Sequence, residues 1–255
     1  MYEKTCYKKP FIKEAIMRFD FPSPIPNYEK GLPPKISEAA LKKFPIFEPQ
    51  KVQTHEVKFG GQETKTNIIE ATNSVFYGLE REKTLTISSN AFIVQVRQYK
   101  TFELFLSETF HPLGVLCELF PEIRASRIGL RYVNVLEVGS GNPLDWAEFI
   151  NPQLLGIVDY YKRDNLSRAF QILEYNFDED ALKFQAGMAN PDYPAKIKQR
   201  QFILDLDASS VGAFDYQEMA AKVKIGHGRI QELFESSITQ ATRDIMKVVK
   251  DDAGN

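Results

Sequence analysis

Cysteine is scarce in this sequence, and its scarcity removes whole architectures. Only Cys6 and Cys117 occur among 255 residues, the first in an N-terminal tail, the second in a stretch with helical spacing. They make neither a disulfide framework nor a Cys-x-x-Cys zinc site. Histidine is as sparse, and His55, His111 and His227 show no metal-ligand spacing with one another or with a carboxylate. No apolar run approaches the roughly 20 residues that span a bilayer. The N-terminal MYEKTCYKKPFIKEA has no apolar leader, so the expected location is the cytoplasm. A charge of one sign is lacking too: 32 basic against 34 acidic residues leave −2, which argues against a general nucleic-acid coat or a polybasic membrane binder.

Catalytic and nucleotide-binding signatures are missing as well. No Gly-x-x-x-x-Gly-Lys-Ser/Thr loop, Gly-x-Gly-x-x-Gly fingerprint or Gly-x-Ser-x-Gly elbow occurs. VGSGN at 138–142 follows a strand pattern but lacks the third glycine and a parallel βαβ setting, so it reads as a turn. No cofactor and no metal is expected. Asp205 and Asp207 share one side of a strand, but two acids without a third are a weak cation site. Trp146 opens a short helix pattern and reads as packing.

What the chain does have is periodicity. Residues 11–21, 67–79, 85–88, 91–99, 127–138, 168–177, 182–189 and 201–207 alternate as strands. Residues 37–44 read as a short helix capped by Ser37, and 102–120 as a helix capped by Thr101 and kinked or split by Pro112. Residues 145–150 begin like a capped helix. Asp215 and Glu218 form a capping box, Gly226-His227-Gly228 interrupts the helix that follows, and a long amphipathic helix runs from Arg229 to Val249 before DDAGN frays. Residues 45–61 fit a strand or an extended loop.

The order strand, helix, three strands, helix occurs twice. The expected fold is α+β, with antiparallel sheets carrying helices on one face and a pseudo-duplicated β-α-β-β-β-α unit. Residues 1–125 and 126–255 would be two halves packed as one unit.

On such a sheet Ile128, Leu130, Tyr132 and Leu136 face the helices, and Arg127 and Arg131 the uncovered side. In 91–99, Gln95, Arg97 and Tyr99 fall on that polar side. An arginine-bearing sheet face suits anions or acidic partners, and equally it keeps an exposed sheet in solution. Asn134 sits among apolar neighbours, either as a satisfied amide or as a ligand contact. In GHGR, His227 is a base at a helix N-terminus with Arg229 as its anion anchor, or a cap at a glycine turn. The binding candidates are therefore Gln95, Arg97, Arg127, Arg131, Asn134, His227 and Arg229, and no residue is assigned as catalytic.

PFIKEAIMRFDF, FIVQVRQYKTFELFLSETF, RIGLRYVNVLEV and HGRIQELFESSITQATRDIM, with the length of the chain, resemble in their order the landmarks of a sporadically distributed family of uncharacterised bacterial proteins. The resemblance covers nearly the whole chain and is most specific at RYVN and the final helix. That family has no established activity, so the resemblance implies no catalytic residue.

The expected function is non-catalytic binding of a small molecule or a protein partner on a polar sheet face or in a cleft. One alternative is an enzyme with a site assembled near His227 or the sheet arginines. Another is a nucleic-acid-associated accessory or defence protein, less favoured on charge. A homodimer is compatible with either use, and no membrane partner is expected.

Overall fold

Ala15, Met17 and Phe19 alternate with Glu14, Ile16 and Arg18, which gives the first strand one apolar side and one mixed side. The computed structural model describes residues 6–60, 63–139 and 141–248, and the side chains outside 54–69. In it, β1 (Ile12–Asp20) lies inside a ten-stranded sheet. The remaining strands are β2 (Ile46–Phe47), β3 (Gln50–Gly60), β4 (Glu63–Tyr77), β5 (Lys83–Ile87), β6 (Ala91–Val96), β7 (Ala125–Leu136), β8 (Ala169–Phe177), β9 (Asp180–Met188) and β10 (Phe202–Phe214). Their order is β2-β4-β5-β6-β1-β7-β10-β9-β8, with β3 paired to β4 and every pairing antiparallel. With α1 (Pro34–Leu41), α2 (Phe102–Leu119), α3 (Tyr216–Ser237) and α4 (Gln240–Met246) the fold is α+β.

Register makes the two sides of the sheet distinct. Phe19 pairs with Phe92 and with Ile128, and Met17 with Val94 and Leu130, so these side chains share the helix-covered side. Phe110 of α2 meets Phe19 edge to face at 5.7 Å. α3 packs on β7, β9 and β10. One contiguous core runs from Phe44 and Phe76 through Phe19 and Leu130 to Phe184 and Phe202.

β1 and β7 are central; β6-β5-β4 stand outward beside β1 and β10-β9-β8 beside β7, but β2 and β3 come between β1 and β4 in the chain and have no counterpart after β7. The helices repeat only in part: α2 follows β6 and α3 follows β10, but among the described residues α1 has no α-helical counterpart after β7. Residues 145–150 form turns rather than a helix, held by Trp146, whose Nε1 donates to Pro143 O at 2.9 Å. Residues 45–61, open in sequence, supply β2 and all of β3, with Gly61 outside the described residues. β3 pairs with β4 from Gln50↔Asn73 to Gly60↔Glu63, and only the last residues of β4 join β5.

Helix ends differ in instructive ways. Thr101 accepts from Leu104 N, and Asp215 with Glu218 forms the expected capping box. α1 starts earlier than its serine suggests, with Pro33 as cap and Pro34 in the first turn, where a missing N–H costs nothing. α2 continues through Pro112, whose ring is buried, so packing outweighs a helix-breaking cost of about 3 kcal/mol. The long terminal helix instead breaks at Ile238-Thr239. There Asn151 N donates to Ser237 O, Thr239 N donates to Phe149 O, and Ile238 bridges to Ile150, so the backbone leaves the helix to meet that loop. Val249 and the terminal DDAGN lie outside the described residues. No described helix is long and apolar enough to cross a membrane.

Candidate functional site

On the side of the sheet without helices, the arginines are already occupied. Arg131 stands opposite Asp207 in register but reaches diagonally to Asp205, with Nε to Oδ1 at 2.8 Å and Nη2 to Oδ2 at 2.5 Å. Arg127 lies 3.5 Å from Asp20, which also takes Arg18 at 2.7 Å. Gln95 donates its amide to Glu14. Arg127 and Arg131 are each matched by a carboxylate of a neighbouring strand and Arg18 by one on its own strand, so these guanidiniums are already neutralised on the sheet face. Asp205, paired with Arg131 here, is no free cation ligand. Among the described residues no group of three His, Cys, Asp or Glu converges.

Arg97 and Tyr99 leave the expected pattern because β6 ends at Val96. Arg97 is exposed, anchored through its backbone N–H to Glu82 O at 2.8 Å. Tyr99 turns to the helix side, where its ring meets Tyr132 edge to face at 5.3 Å. Arg229 is a structural cation. It donates to Asp180 Oδ2 at 2.8 Å and lies 4.2 Å from the centre of the Phe177 ring. Burial pushes the Asp180 carboxyl up, but hydrogen bonds from Ser210, Lys222 and Arg229 outweigh it and hold Asp180 below its ordinary value.

Gly226-His227-Gly228 does not interrupt α3, which runs unbroken from Tyr216 to Ser237. A side chain at Gly226 would place its Cβ 3.2 Å from that of Ala208, so this glycine lets the helix sit close on β10. The neighbouring His227 thereby comes to the wall of a cavity of about 470 Å³ between α2, α3, the sheet and the segment around Tyr7. Its imidazole stacks flat on Phe102, with centroids 3.8 Å apart and planes 4° from parallel. It is a packed aromatic face in mid-helix, not a helix cap.

Three polar groups line up behind that stack. Tyr99 Oη lies 3.4 Å from Tyr132 Oη, which lies 3.4 Å from His227 Nδ1. Burial raises both phenols well above their ordinary pKa, so they stay protonated as donors. Asn134, 3% exposed, borders the same cavity and donates Nδ2 to Leu204 O at 3.1 Å. The walls are mostly apolar, from Phe11, Leu106, Ile230 and Phe234 among others. Tyr7 also lines the cavity and donates to Glu235 Oε1 at 2.6 Å, while Arg243 holds Oε2 at 2.8 Å.

Of the seven expected binding residues, Asn134 and His227 meet at this cavity, and Gln95, Arg97, Arg127, Arg131 and Arg229 lie away from it. Tyr99, Phe102 and Tyr132 were not singled out. Their spacing marks only strand ends and apolar stripes, and nothing in it announces a void between two helices. No protein-family model and no curated protein matches the chain.

Proposed function

We propose that the protein binds a small, largely apolar molecule with one hydrogen-bonding end in the cavity between α2 and α3. The observation that carries this is the chain of Tyr99, Tyr132 and His227 at the wall of a mostly apolar cavity of about 470 Å³. That volume falls in the range of about 300–1,000 Å³ usual for small-molecule sites. Both links, at 3.4 Å, are at the long limit of hydrogen bonding, so either hydroxyl can turn to a guest at little cost. The apolar walls supply affinity and the polar chain supplies orientation.

Thermal denaturation against a library of aromatic acids, amides and alcohols tests this, because a guest of the folded state raises the midpoint. A stabilising compound is expected, with its effect lost in Tyr132→Phe and Phe102→Ala and kept in Arg127→Gln on the opposite face. No stabilisation by any compound, or an effect removed only by Arg127→Gln, overturns the reading. A catalytic use of the same cavity is favoured by one contact, Tyr132 Oη to His227 Nδ1. It predicts turnover of a bound compound that His227→Gln abolishes while binding persists.

A further inference from the structure

At the far end of the sheet, β8 reads AFQILEYNF and pairs only with β9. Natural edge strands are guarded by proline, charged side chains, above all lysine, a bulge or a covering segment. β8 has no proline and a single charge, Glu174, which Lys183 of β9 faces at 3.8 Å, and its pairing with β9 runs without a register break from Ala169↔Met188 to Phe177↔Asp180. Among the described residues no hydrogen bond from outside β9 reaches its main chain. Phe170, Ile172, Leu173, Tyr175 and Phe177 are all exposed, Ile172 at 54%. Both faces of the strand thus carry exposed apolar side chains, and its outer row of N–H and C=O groups is open among the described residues.

We propose that β8 pairs with β8 of a second copy of this chain, antiparallel, about a two-fold axis through Leu173. The sequence of the strand selects the occupant. In that register Leu173 opposes Leu173, Gln171 opposes Tyr175, and Ala169 opposes Phe177. Arg168, just before the strand, then comes near Asp178 of the second copy, the first residue of the turn from β8 to β9, and the pair occurs twice by symmetry. Both residues are exposed in one chain, and Arg168 lies over the Tyr193 ring at 4.5 Å. Glu174, the one charge within the strand, faces Ile172. Moving the axis to Glu174 opposes two glutamates, which is repulsive. Moving it to Ile172 sets Arg168 against Asn176 and loses both ion pairs. The axis is perpendicular to the sheet, so the helices of both copies lie on one side of a single continuous sheet. A strand of nine residues is a small interface, and the dimer is expected in the micromolar range.

Sedimentation velocity over a wide concentration range tests the pairing. The wild-type chain is expected to pass from the 29.2 kDa monomer to a dimer as concentration rises. L173E and L173K, changed at an exposed position and checked for an unaltered circular dichroism spectrum, are each expected to stay monomeric. Their equimolar mixture is expected to dimerise again, because glutamate then opposes lysine at the axis. A wild-type chain that remains monomeric up to about 200 μM overturns the proposal. So do variants that dimerise as the wild type does, and so does a mixture that stays monomeric.

Discussion

Asp207 and Asp205 are two residues apart on one strand, yet their surroundings differ. Arg131 commits its paired donors to Asp205 and only passes near Asp207. At Asp207 burial is the largest influence and raises the carboxyl above its ordinary value, with Arg127 and Arg131 pulling the other way. An acid whose folded pKa is raised supports the fold while protonated, and that support is lost as pH rises through the folded pKa. Asp207→Asn should therefore raise the melting temperature at neutral pH, with the gain fading as pH falls to about 4. Melting curves of both proteins across that range would show it; a gain that grows on acidification would contradict the assignment. Arg131→Ala leaves a nearly buried Asp205 without its partner. Because the arginine is itself partly exposed, the cost should be about 1–3 kcal/mol in urea denaturation. Strand alternation was enough to place Arg127 and Arg131 on the uncovered side. Their neutralisation was not legible, because the partner of Arg131 is 74 positions away and only the β7–β10 register brings it near.

The two glycines of α3 show how an element can mislead when read by composition alone. A Gly-His-Gly stretch reads as a break, yet Asp215 caps the helix, and Met219, Val223 and Ile230 seat it on the sheet through both glycines. Burial of that stripe outweighs the local cost of each glycine, about 1 kcal/mol relative to alanine. The two positions should respond in opposite ways. Gly228 has open space where a Cβ would go, so Gly228→Ala should stabilise by about 0.5–1 kcal/mol through helix propensity. Gly226 meets Ala208, so Gly226→Val should push α3 from β10 and cost about 1–3 kcal/mol. Denaturant midpoints of the two variants decide the point, and a stabilised Gly226→Val would refute the close-approach role. The caps at Thr101 and Asp215 were legible because a cap needs only residues three apart. The stops at Val96 and Ile238 were not, since distant segments create them: Glu82 O takes the N–H of Arg97, and the loop at Phe149–Asn151 takes up the backbone around Ile238.

At the scale of the whole molecule, the junction between β1 and β7 carries the architecture. Antiparallel register from Glu14↔Val133 to Asp20↔Arg127 makes one sheet of both halves, and the core crosses that junction without a gap. The cavity crosses it too: Tyr99 and Phe102 come from one half, Tyr132 and His227 from the other. Separating the halves would expose Met17, Phe19, Leu130 and Tyr132, each 3% exposed or less, together with the inner edges of two strands. Apolar burial at about 25 cal/mol per Å² makes that separation costly. The chain should therefore unfold in one cooperative transition despite its length. Calorimetry would give a calorimetric enthalpy equal to the van't Hoff enthalpy. Two resolved transitions would mean that each half holds its own core, and then Phe19→Ala in β1 and Leu206→Ala in β10 would lower different ones. With a single transition the same two substitutions lower the same midpoint and destabilise the one unit, by about 3–5 kcal/mol for phenylalanine and about 2–5 kcal/mol for leucine. A compound seated between Tyr99 and His227 would then stabilise the entire fold, because both sides of its site belong to one unit.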